Sequence, residues 1–387
     1  MSKFIAKVIS DMPPSGIRRF FDIAAEMDDV ISLGVGEPDF VTPEHICDKA
    51  IESIREGHTM YTANAGMIEL RSQISSYMKK FGLEYDPKTQ VLVTVGASED
   101  IDISLRAILN PGDEVLIVEP CFVAYKSCVL MAGGVPVTIP THAENDFMVT
   151  AAEIEAKLTS RTKAVLLGYP CNPTGAILPL HELEAIAKLL SDRELVVISD
   201  EIYAELTYGD EQHVSIASLP GMYEKTIVIN GFSKSFAMTG WRLGFACGPA
   251  DLIGAMTKIH QYVLMCAPTM AQYAGLQALA HGEADVKAMC GEYNKRRVYL
   301  LGRLRDMGMD CFEAKGAFYL FPSIKRFGMT SEEFCERLLR EQRLAVVPGT
   351  AFGDSGEGHV RICYAYSIEN LNKALERLEK FISSLQF

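Results

Sequence analysis

An alternation of short apolar runs with stretches of helical periodicity constrains the fold more than any other feature of this sequence. Between residues 91 and 247, seven runs are short, apolar and rich in β-branched side chains: Val91–Val95, Val115–Val118, Val135–Ile139, Ala164–Leu167, Leu195–Ser199, Thr226–Ile229 and Leu243–Cys247. Segments with helical spacing, such as Ser98–Leu109 and Leu180–Leu190, separate most of these runs. The alternation predicts an α/β fold whose mostly parallel, seven-stranded sheet has helices on both faces.

The C-terminal part of the chain has a different pattern from about Asn294 onward. Long helical patterns and short strands share this part, at Arg296–Met307, Phe318–Phe321, Ser331–Gln342, Leu344–Val347, Val360–Tyr364 and Ser367–Leu385. The mixture predicts a smaller α+β domain, and a length of 387 residues also favours more than one domain. We expect a large domain over residues 48–290 and a small domain formed by residues 1–47 and 291–387.

The charge balance argues against polyanionic partners. The chain has 37 Lys and Arg residues against 50 Asp and Glu residues, a formal net charge of −13. Such a surface repels phosphate backbones and anionic lipids, so we expect neither nucleic acid nor a membrane as a partner. No run approaches the ~18 consecutive apolar residues of a membrane span, and no secretory signal is evident, which predicts a cytoplasmic location.

The cysteines and histidines show no spacing that is typical of metal ligands. The ten cysteines are scattered in apolar contexts without a CxxC pair, and the eight histidines form no ligand motif. We therefore predict no metal site, and we expect the thiols to be reduced and buried.

In a parallel sheet, ligands bind at the carboxyl ends of the strands, so the residues after each apolar run are the candidates for function. Lys234 follows the run Thr226–Ile229 in the segment NGFSKSFAMTGWR, among small residues and hydroxyls. A desolvated lysine loses its proton readily and attacks carbonyl carbon, which is Schiff-base chemistry. Arg242, further along this segment, can fork onto a phosphate. Taken alone, a surface lysine and an ion-paired arginine explain the segment equally well.

The segment Val95–Asp100 predicts an anion-binding turn. Its Gly-Ala-Ser sequence leads from a strand into a helix that begins near Ser98. Backbone N–H groups at a helix N-terminus, with a hydroxyl beside them, bind anions, although an ordinary serine N-cap explains such a turn more often. The segment is neither GxGxxG nor a Walker loop, so dinucleotide and nucleoside-triphosphate binding lose support.

Three further strand ends carry side chains that suit a planar, charged ring. Asp200 ends one apolar run, and a buried carboxylate needs a partner such as a pyridinium nitrogen, toward which Tyr203 can also point. Asn172 lies between two prolines that fix its backbone, and Phe122 is placed to stack on a ring. A helix cap, a turn and core packing are the respective alternatives. Together with Lys234 and the anion-binding turn, these residues meet the needs of pyridoxal 5′-phosphate.

The whole chain resembles the class I/II aminotransferases of the fold-type I, pyridoxal-phosphate-dependent group. The resemblance is specific in SKSFAMTGWRLG, SDEIYAELTY, YPCNPTG, YTANAGMIELR and VRICYAYS. It implies that Lys234 binds the cofactor covalently and that Asp200 pairs with the pyridine nitrogen. It also implies that Asn172 and Tyr203 bond the ring oxygen, and Phe122 stands where the family stacks an aromatic residue, often Trp.

The resemblance assigns further residues to the phosphate and to the substrate. Those implied to hold the phosphate are Ala97, Ser98, Ser233 and Arg242. Tyr61 matches a tyrosine that reaches the phosphate of the neighbouring subunit, which implies a homodimer with shared active sites. Arg361 matches the arginine that grips the substrate α-carboxylate, Gly36 lies in the segment over the substrate, and Ile17 lines the side-chain pocket. Lys234, Asp200 and Tyr203 are the expected catalytic residues.

The expected reaction is a ping-pong transamination between an L-amino acid of aspartate or aromatic type and a 2-oxo acid such as 2-oxoglutarate. No second cation for an acidic side chain can be assigned to a motif position. N-acetyl-diaminopimelate amino transfer and β-elimination of cysteine conjugates are alternatives on the same scaffold. A non-catalytic ligand-sensing module and a Rossmann oxidoreductase are weaker alternatives, because no helix-turn-helix extension and no Gly-rich fingerprint are evident.

Overall fold

A seven-stranded mixed sheet forms the centre of the computed structural model, which describes residues 4–12 and 27–385. In this part of the chain the strands are β1 (Ile31–Ser32), β2 (Val91–Thr94), β3 (Glu114–Glu119), β4 (Val135–Pro140), β5 (Thr162–Gly168), β6 (Val196–Asp200), β7 (Thr226–Gly231), β8 (Gly244–Cys247), β9 (Tyr319–Leu320), β10 (Leu344–Ala345), β11 (Val347–Pro348) and β12 (Val360–Cys363). The order across the large sheet is β2-β8-β7-β6-β5-β3-β4, and all seven predicted runs are strands of it.

The large sheet is parallel except at β8, which runs antiparallel to both of its neighbours, β2 and β7. The carboxyl ends of β2, β3, β5, β6 and β7 therefore lie at the same edge of the sheet. The prediction of a mostly parallel α/β sheet is confirmed.

Helices cover both faces of this sheet. The α-helices of the described residues are Lys7–Asp11, Glu44–Arg55, Ile68–Met78, Ala97–Ile108, Ala124–Met131, Ala151–Glu155, Leu180–Leu190, Ala250–Val263, Thr269–His281, Glu283–Asp306, Ser331–Gln342 and Ile368–Ser384. Along β3, Val115 and Ile117 pack with the apolar side of Ala97–Ile108, whereas Leu116 and Val118 pack with that of Leu180–Leu190. Because successive side chains point to opposite faces, a strand covered on both sides is apolar throughout.

The C-terminal part contains two small sheets. Strands β11, β12 and β9 form an antiparallel sheet, while β1 from the N-terminal part pairs in parallel with β10. The prediction of a single strand over Leu344–Val347 was wrong, because the chain divides at Val346 and its two halves pair in different sheets.

One predicted helix boundary was also wrong. The helix expected over Arg296–Met307 begins at Glu283 and ends at Asp306. Apolar and polar residues are poorly separated along this helix, and its first half contains Gly291, so the helical period is weak there. The proposed domain boundary between residues 290 and 291 falls inside this helix, and the division into two domains stays a prediction.

No helix within residues 4–12 and 27–385 combines the length and the apolar character needed to cross a membrane.

Candidate active site

A cavity of about 300 Å³ opens at the sheet edge where the carboxyl ends of the parallel strands meet. Eleven of the predicted site residues line it: Gly36, Ala97, Ser98, Phe122, Asn172, Asp200, Tyr203, Ser233, Lys234, Arg242 and Arg361. They come from segments spread over most of the chain, and the fold brings them together because each cofactor-site residue follows a strand of the large sheet. Ile17 lies outside the described residues.

Lys234 lies shortly after β7 and is partly buried in the cavity. Its Nζ atom donates a hydrogen bond of 2.7 Å to the backbone oxygen of Gly36. The same atom is 5.9 Å from the ring centroid of Tyr203 and 5.6 Å from that of Phe318. Burial is the main cause that lowers the pKa of Lys234 to about 8. A larger share of this amine is therefore unprotonated and nucleophilic near neutral pH than for a surface lysine.

Asp200 is the last residue of β6 and is 6% exposed. Its Oδ2 atom accepts a hydrogen bond of 2.7 Å from the Tyr125 hydroxyl, and its Oδ1 atom accepts one of 3.2 Å from the Ile202 N–H. Burial is the main cause that raises the pKa of Asp200 to about 6. A carboxylate buried in this way is stabilised by a cationic partner, and the protonated nitrogen of a pyridine ring fits that requirement.

The turn between β2 and the helix Ala97–Ile108 forms an anion-binding corner with Arg242. Gly96 has a φ of +94°, a conformation that favours glycine, and a Cβ atom there would lie 2.8 Å from Nη2 of Arg242. The guanidinium donates to the backbone oxygens of Thr239 at 3.0 Å and of Val95 at 3.4 Å. The free N–H groups of the helix N-terminus and the exposed Arg242 side chain suit a phosphate group.

Arg361 lies on β12 and is 3% exposed. Its Nη1 donates a hydrogen bond of 2.8 Å to Oδ1 of Asn172, and its Nη2 donates to the backbone oxygen of Gly34. The ring centroids of Tyr319 and Phe352 lie 4.5 Å and 4.7 Å from Cζ. Within the described residues, the buried Nε atom has no hydrogen-bond partner. A fixed, buried guanidinium with an unused N–H suits a substrate carboxylate.

Two tyrosines of the site were not found by sequence reasoning. Tyr125 bonds Asp200, and its place in the first turn of the helix that follows the candidate segment with Phe122 was a usable signal. The Tyr319 hydroxyl lies 2.8 Å from the Tyr203 hydroxyl. Tyr319 belongs to a two-residue strand in the C-terminal part, and no local pattern pointed from it to Tyr203.

Tyr61 is the predicted residue that the fold does not bring to this cavity. It is 78% exposed and does not line the cavity of its own chain. Its surroundings are exposed and apolar, since Met60 is 80% exposed and Ile68, which lines the same surface groove, is 39% exposed.

The comparisons with known proteins agree with this geometry. The model of the aminotransferase class I and II family matches residues 28–378. The Bacillus subtilis protein YugH is 53% identical over 383 residues, 99% of each chain. An aspartate aminotransferase of Pyrococcus abyssi is 48% identical over 95% of this chain and 96% of its own. The solved aromatic aminotransferase from Pyrococcus horikoshii has a TM-score of 0.90 at 46% identity, and the match covers 95% of this chain and 98% of that one.

The fold, the cavity and these relatives define a class I and II aminotransferase. The chain belongs to that family, whose members generally depend on pyridoxal 5′-phosphate, and it is an aminotransferase enzyme.

Proposed function

We propose that this chain binds pyridoxal 5′-phosphate in the cavity and moves the α-amino group between an L-amino acid and a 2-oxo acid such as 2-oxoglutarate. The observation that carries the proposal is the meeting of three groups in one cavity. These are a lysine whose pKa burial lowers to about 8, a buried carboxylate that suits a ring nitrogen, and a buried arginine with an unused N–H. Few ligands other than this cofactor with its substrate use all three.

The residues at the strand ends would hold the cofactor. Asp200 would accept from the ring nitrogen, Asn172 and Tyr203 would bond the ring oxygen, and Phe122 would lie against the ring. The phosphate would be held by the helix N-terminus with Ala97, Ser98, Ser233 and Arg242. When bound, the cofactor supplies an electron-withdrawing ring that acidifies the Cα–H bond of the amino acid.

Arg361 would bind the substrate, and Lys234 would remove its proton. Arg361 binds the α-carboxylate with the N–H groups that face the cavity, which orients Cα toward Lys234. Nζ of Lys234 then removes the proton from Cα as a general base, which its lowered pKa allows near neutral pH. The backbone oxygen of Gly36 accepts a hydrogen bond from the same Nζ atom. The Gly36 backbone therefore lies next to the amine that receives the proton.

For the substrate, we propose amino acids of aspartate or aromatic type. Relatives named as aspartate and as aromatic aminotransferases support both classes. The cations that line the cavity in the described part of the chain are Lys234, Arg242 and Arg361, and each already has a proposed role. An acidic side chain would need a further cation, whereas an aromatic side chain would not. We therefore expect phenylalanine and tyrosine to be used at least as well as aspartate.

We further propose a homodimer in which each subunit completes the active site of the other. Exposed apolar side chains lie next to Tyr61 and in the segment that ends at Met265, whose backbone oxygen accepts from Asn64, and a second copy of the chain would cover them: Met60, Tyr262, Val263, Leu264 and Met265. Tyr61 would then reach the phosphate group in the neighbouring subunit. The ten unpaired cysteines agree with a reducing, cytoplasmic location.

Substitution of the lysine tests the proposal. With saturating cofactor, Lys234→Ala should lower the turnover number by more than about 100-fold and remove the visible absorbance of the lysine-bound cofactor. Lys287→Ala is the matched control, because Lys287 is an exposed lysine whose partner is the exposed Glu283. Wild-type turnover and absorbance in the Lys234→Ala protein would contradict the proposal.

A further inference from the structure

A buried acid–base pair lies directly beneath the anion-binding turn. Glu99 is the third residue of the helix Ala97–Ile108, and its Oε1 atom is 2.5 Å from Nδ1 of His260. His260 lies near the end of the helix Ala250–Val263, and its side chain is fully buried. Neither residue lines the cavity, and neither has a part in the reaction described above.

Glu99 also fixes the backbone of the turn. Its Oε2 atom accepts a hydrogen bond of 2.6 Å from the N–H of Val95. The oxygen of the same residue, Val95, accepts from Nη2 of Arg242. The backbone N–H of Val95 is thus held by Glu99, and its backbone oxygen is held by Arg242. The carboxylate of Glu99 therefore sets the distance between the helix N-terminus and Arg242, two parts of the phosphate site.

Both oxygens of the Glu99 carboxylate have hydrogen-bond partners at this position. A bare carboxylate in the first turn of the helix would repel an anion bound at the same N-terminus. The contact with Nδ1 of His260 at 2.5 Å occupies the second carboxylate oxygen of Glu99 and holds the side chain in place. The neighbouring Asp100 is fully buried, and burial holds its pKa well above the ordinary value. It accepts from the Thr94 hydroxyl at 2.8 Å. Burial therefore disfavours a second negative charge at Asp100.

We propose that Glu99 and His260 are positioning residues for the phosphate group of the cofactor. Glu99 holds the turn at the correct distance from Arg242, and His260 holds Glu99 through a hydrogen bond. This inference rests on the proposed binding of pyridoxal 5′-phosphate. The phosphate site is then supported by a contact between the helices Ala97–Ile108 and Ala250–Val263, which the sequence pattern did not connect.

A purely structural role makes a different prediction. If the pair only stabilised the fold, its loss would weaken all ligands of the cavity to a similar degree. If the pair positions the phosphate site, its removal weakens the binding of ligands that carry the phosphate more than the binding of ligands without it. Pyridoxal and pyridoxal 5′-phosphate differ only in that group, so the ratio of their dissociation constants separates the two roles.

The experiment measures both dissociation constants on the cofactor-free full chain. Trp241, the single tryptophan, stands beside Arg242 in the sequence, and the quenching of its fluorescence reports binding. Glu99→Ala should weaken pyridoxal 5′-phosphate about 10-fold more than pyridoxal. Glu99→Gln retains an oxygen for Val95 and places an N–H toward Nδ1 of His260, which accepts it in the tautomer that carries its proton on Nε2, so it should recover most of the loss. The stabilisation of the protein against heat by inorganic phosphate should follow the same order.

A second variant and a control complete the test. His260→Gln removes the ring that holds Glu99 and should show the same selective loss, so it decides the question if Glu99→Ala does not fold. His359→Phe is the control, because His359 is buried against Phe321 and lies outside the cavity. It should lower stability without changing the ratio. An equal loss for both ligands, or no loss for either, would overturn the proposal. Failure of the wild-type protein to bind the cofactor would instead contradict the proposed function.

Discussion

The hydroxyl of Tyr125 donates a hydrogen bond of 2.7 Å to Oδ2 of Asp200, and both side chains are buried at the sheet edge. Burial is the main cause that raises the pKa of Asp200, and this hydrogen bond opposes it. Tyr125 thus helps to keep Asp200 ionised, which is the state that a protonated ring nitrogen requires.

Substitution of Tyr125 by Phe should therefore weaken the cofactor site without removing its carboxylate. We expect the affinity for pyridoxal 5′-phosphate to fall about 10-fold and the turnover number to fall by a similar factor. Equilibrium binding and steady-state kinetics measure the two effects. Tyr169→Phe is the control, because its buried hydroxyl bonds the backbone of Phe147 instead. Equal effects of the two substitutions would argue against a specific role of Tyr125.

The stability of the cofactor-free protein should depend on pH through Asp200. The pKa of this carboxyl is raised to about 6, so the folded state binds its proton more tightly than the unfolded state does. Its favourable contribution is complete below the unfolded pKa of about 4 and is lost as the pH rises through about 6.

Asp200→Asn removes this cost of a desolvated charge. At about pH 7.5 the cofactor-free variant should have a free energy of unfolding about 1–3 kcal/mol above that of the wild type, and the gain should vanish below about pH 4. Urea unfolding at several pH values measures it. The control Asp192→Asn replaces an exposed carboxylate and should show no such trend. A gain that is constant with pH would contradict the assignment.

Arg361→Lys should affect the substrate far more than the cofactor. Lysine cannot form a two-pronged contact with a carboxylate, and it loses the contacts with the rings of Tyr319 and Phe352. We expect KM for the amino acid to rise about 100-fold, with less than a roughly threefold change in cofactor affinity. Arg297→Lys is a matched control, since Arg297 is also buried, lies against the ring of Tyr208 and is remote from the cavity lining. A cofactor affinity that falls as much as KM rises would contradict this role.

Mixing of two inactive variants tests the shared active site. Lys234→Ala lacks the lysine of its own site, and Tyr61→Ala lacks the tyrosine that would serve the neighbouring site. A hybrid dimer contains one site with both residues intact. After random exchange of equal amounts, activity should reach about a quarter of the wild-type value, because half of the dimers are hybrids with one complete site each. No recovery in demonstrably mixed dimers would show that Tyr61 acts within its own subunit, and wild-type activity of Tyr61→Ala alone would show that Tyr61 has no role.

The large sheet could be predicted because most of its strands are covered on both faces. Full burial makes a strand apolar throughout, and each such run was visible in the sequence. Lys234, Asp200 and Asn172 could be named because each follows one of these runs in a segment of unusual composition. The fold then places all three in one cavity.

Contacts between segments that are distant in the chain could not be predicted from the sequence. Tyr203 and Tyr319 are 116 positions apart, and Glu99 and His260 are 161 positions apart. Periodicity describes which face of one element is buried, but it does not say which element packs on that face. The start of the helix at Glu283 was missed for a related reason, because the packing of Val286, Met289 and Tyr293 stabilises a segment whose own helical pattern is weak.

A single half-reaction tests the central claim most directly. The cofactor-loaded enzyme is mixed with excess L-phenylalanine or L-aspartate in the absence of any 2-oxo acid, and the 2-oxo acid formed is measured together with ammonia. An aminotransferase should release about one equivalent of 2-oxo acid per subunit and no ammonia, and then stop until 2-oxoglutarate is added. Absence of any 2-oxo acid with these donors, or continuous release of ammonia without an acceptor, would contradict the account.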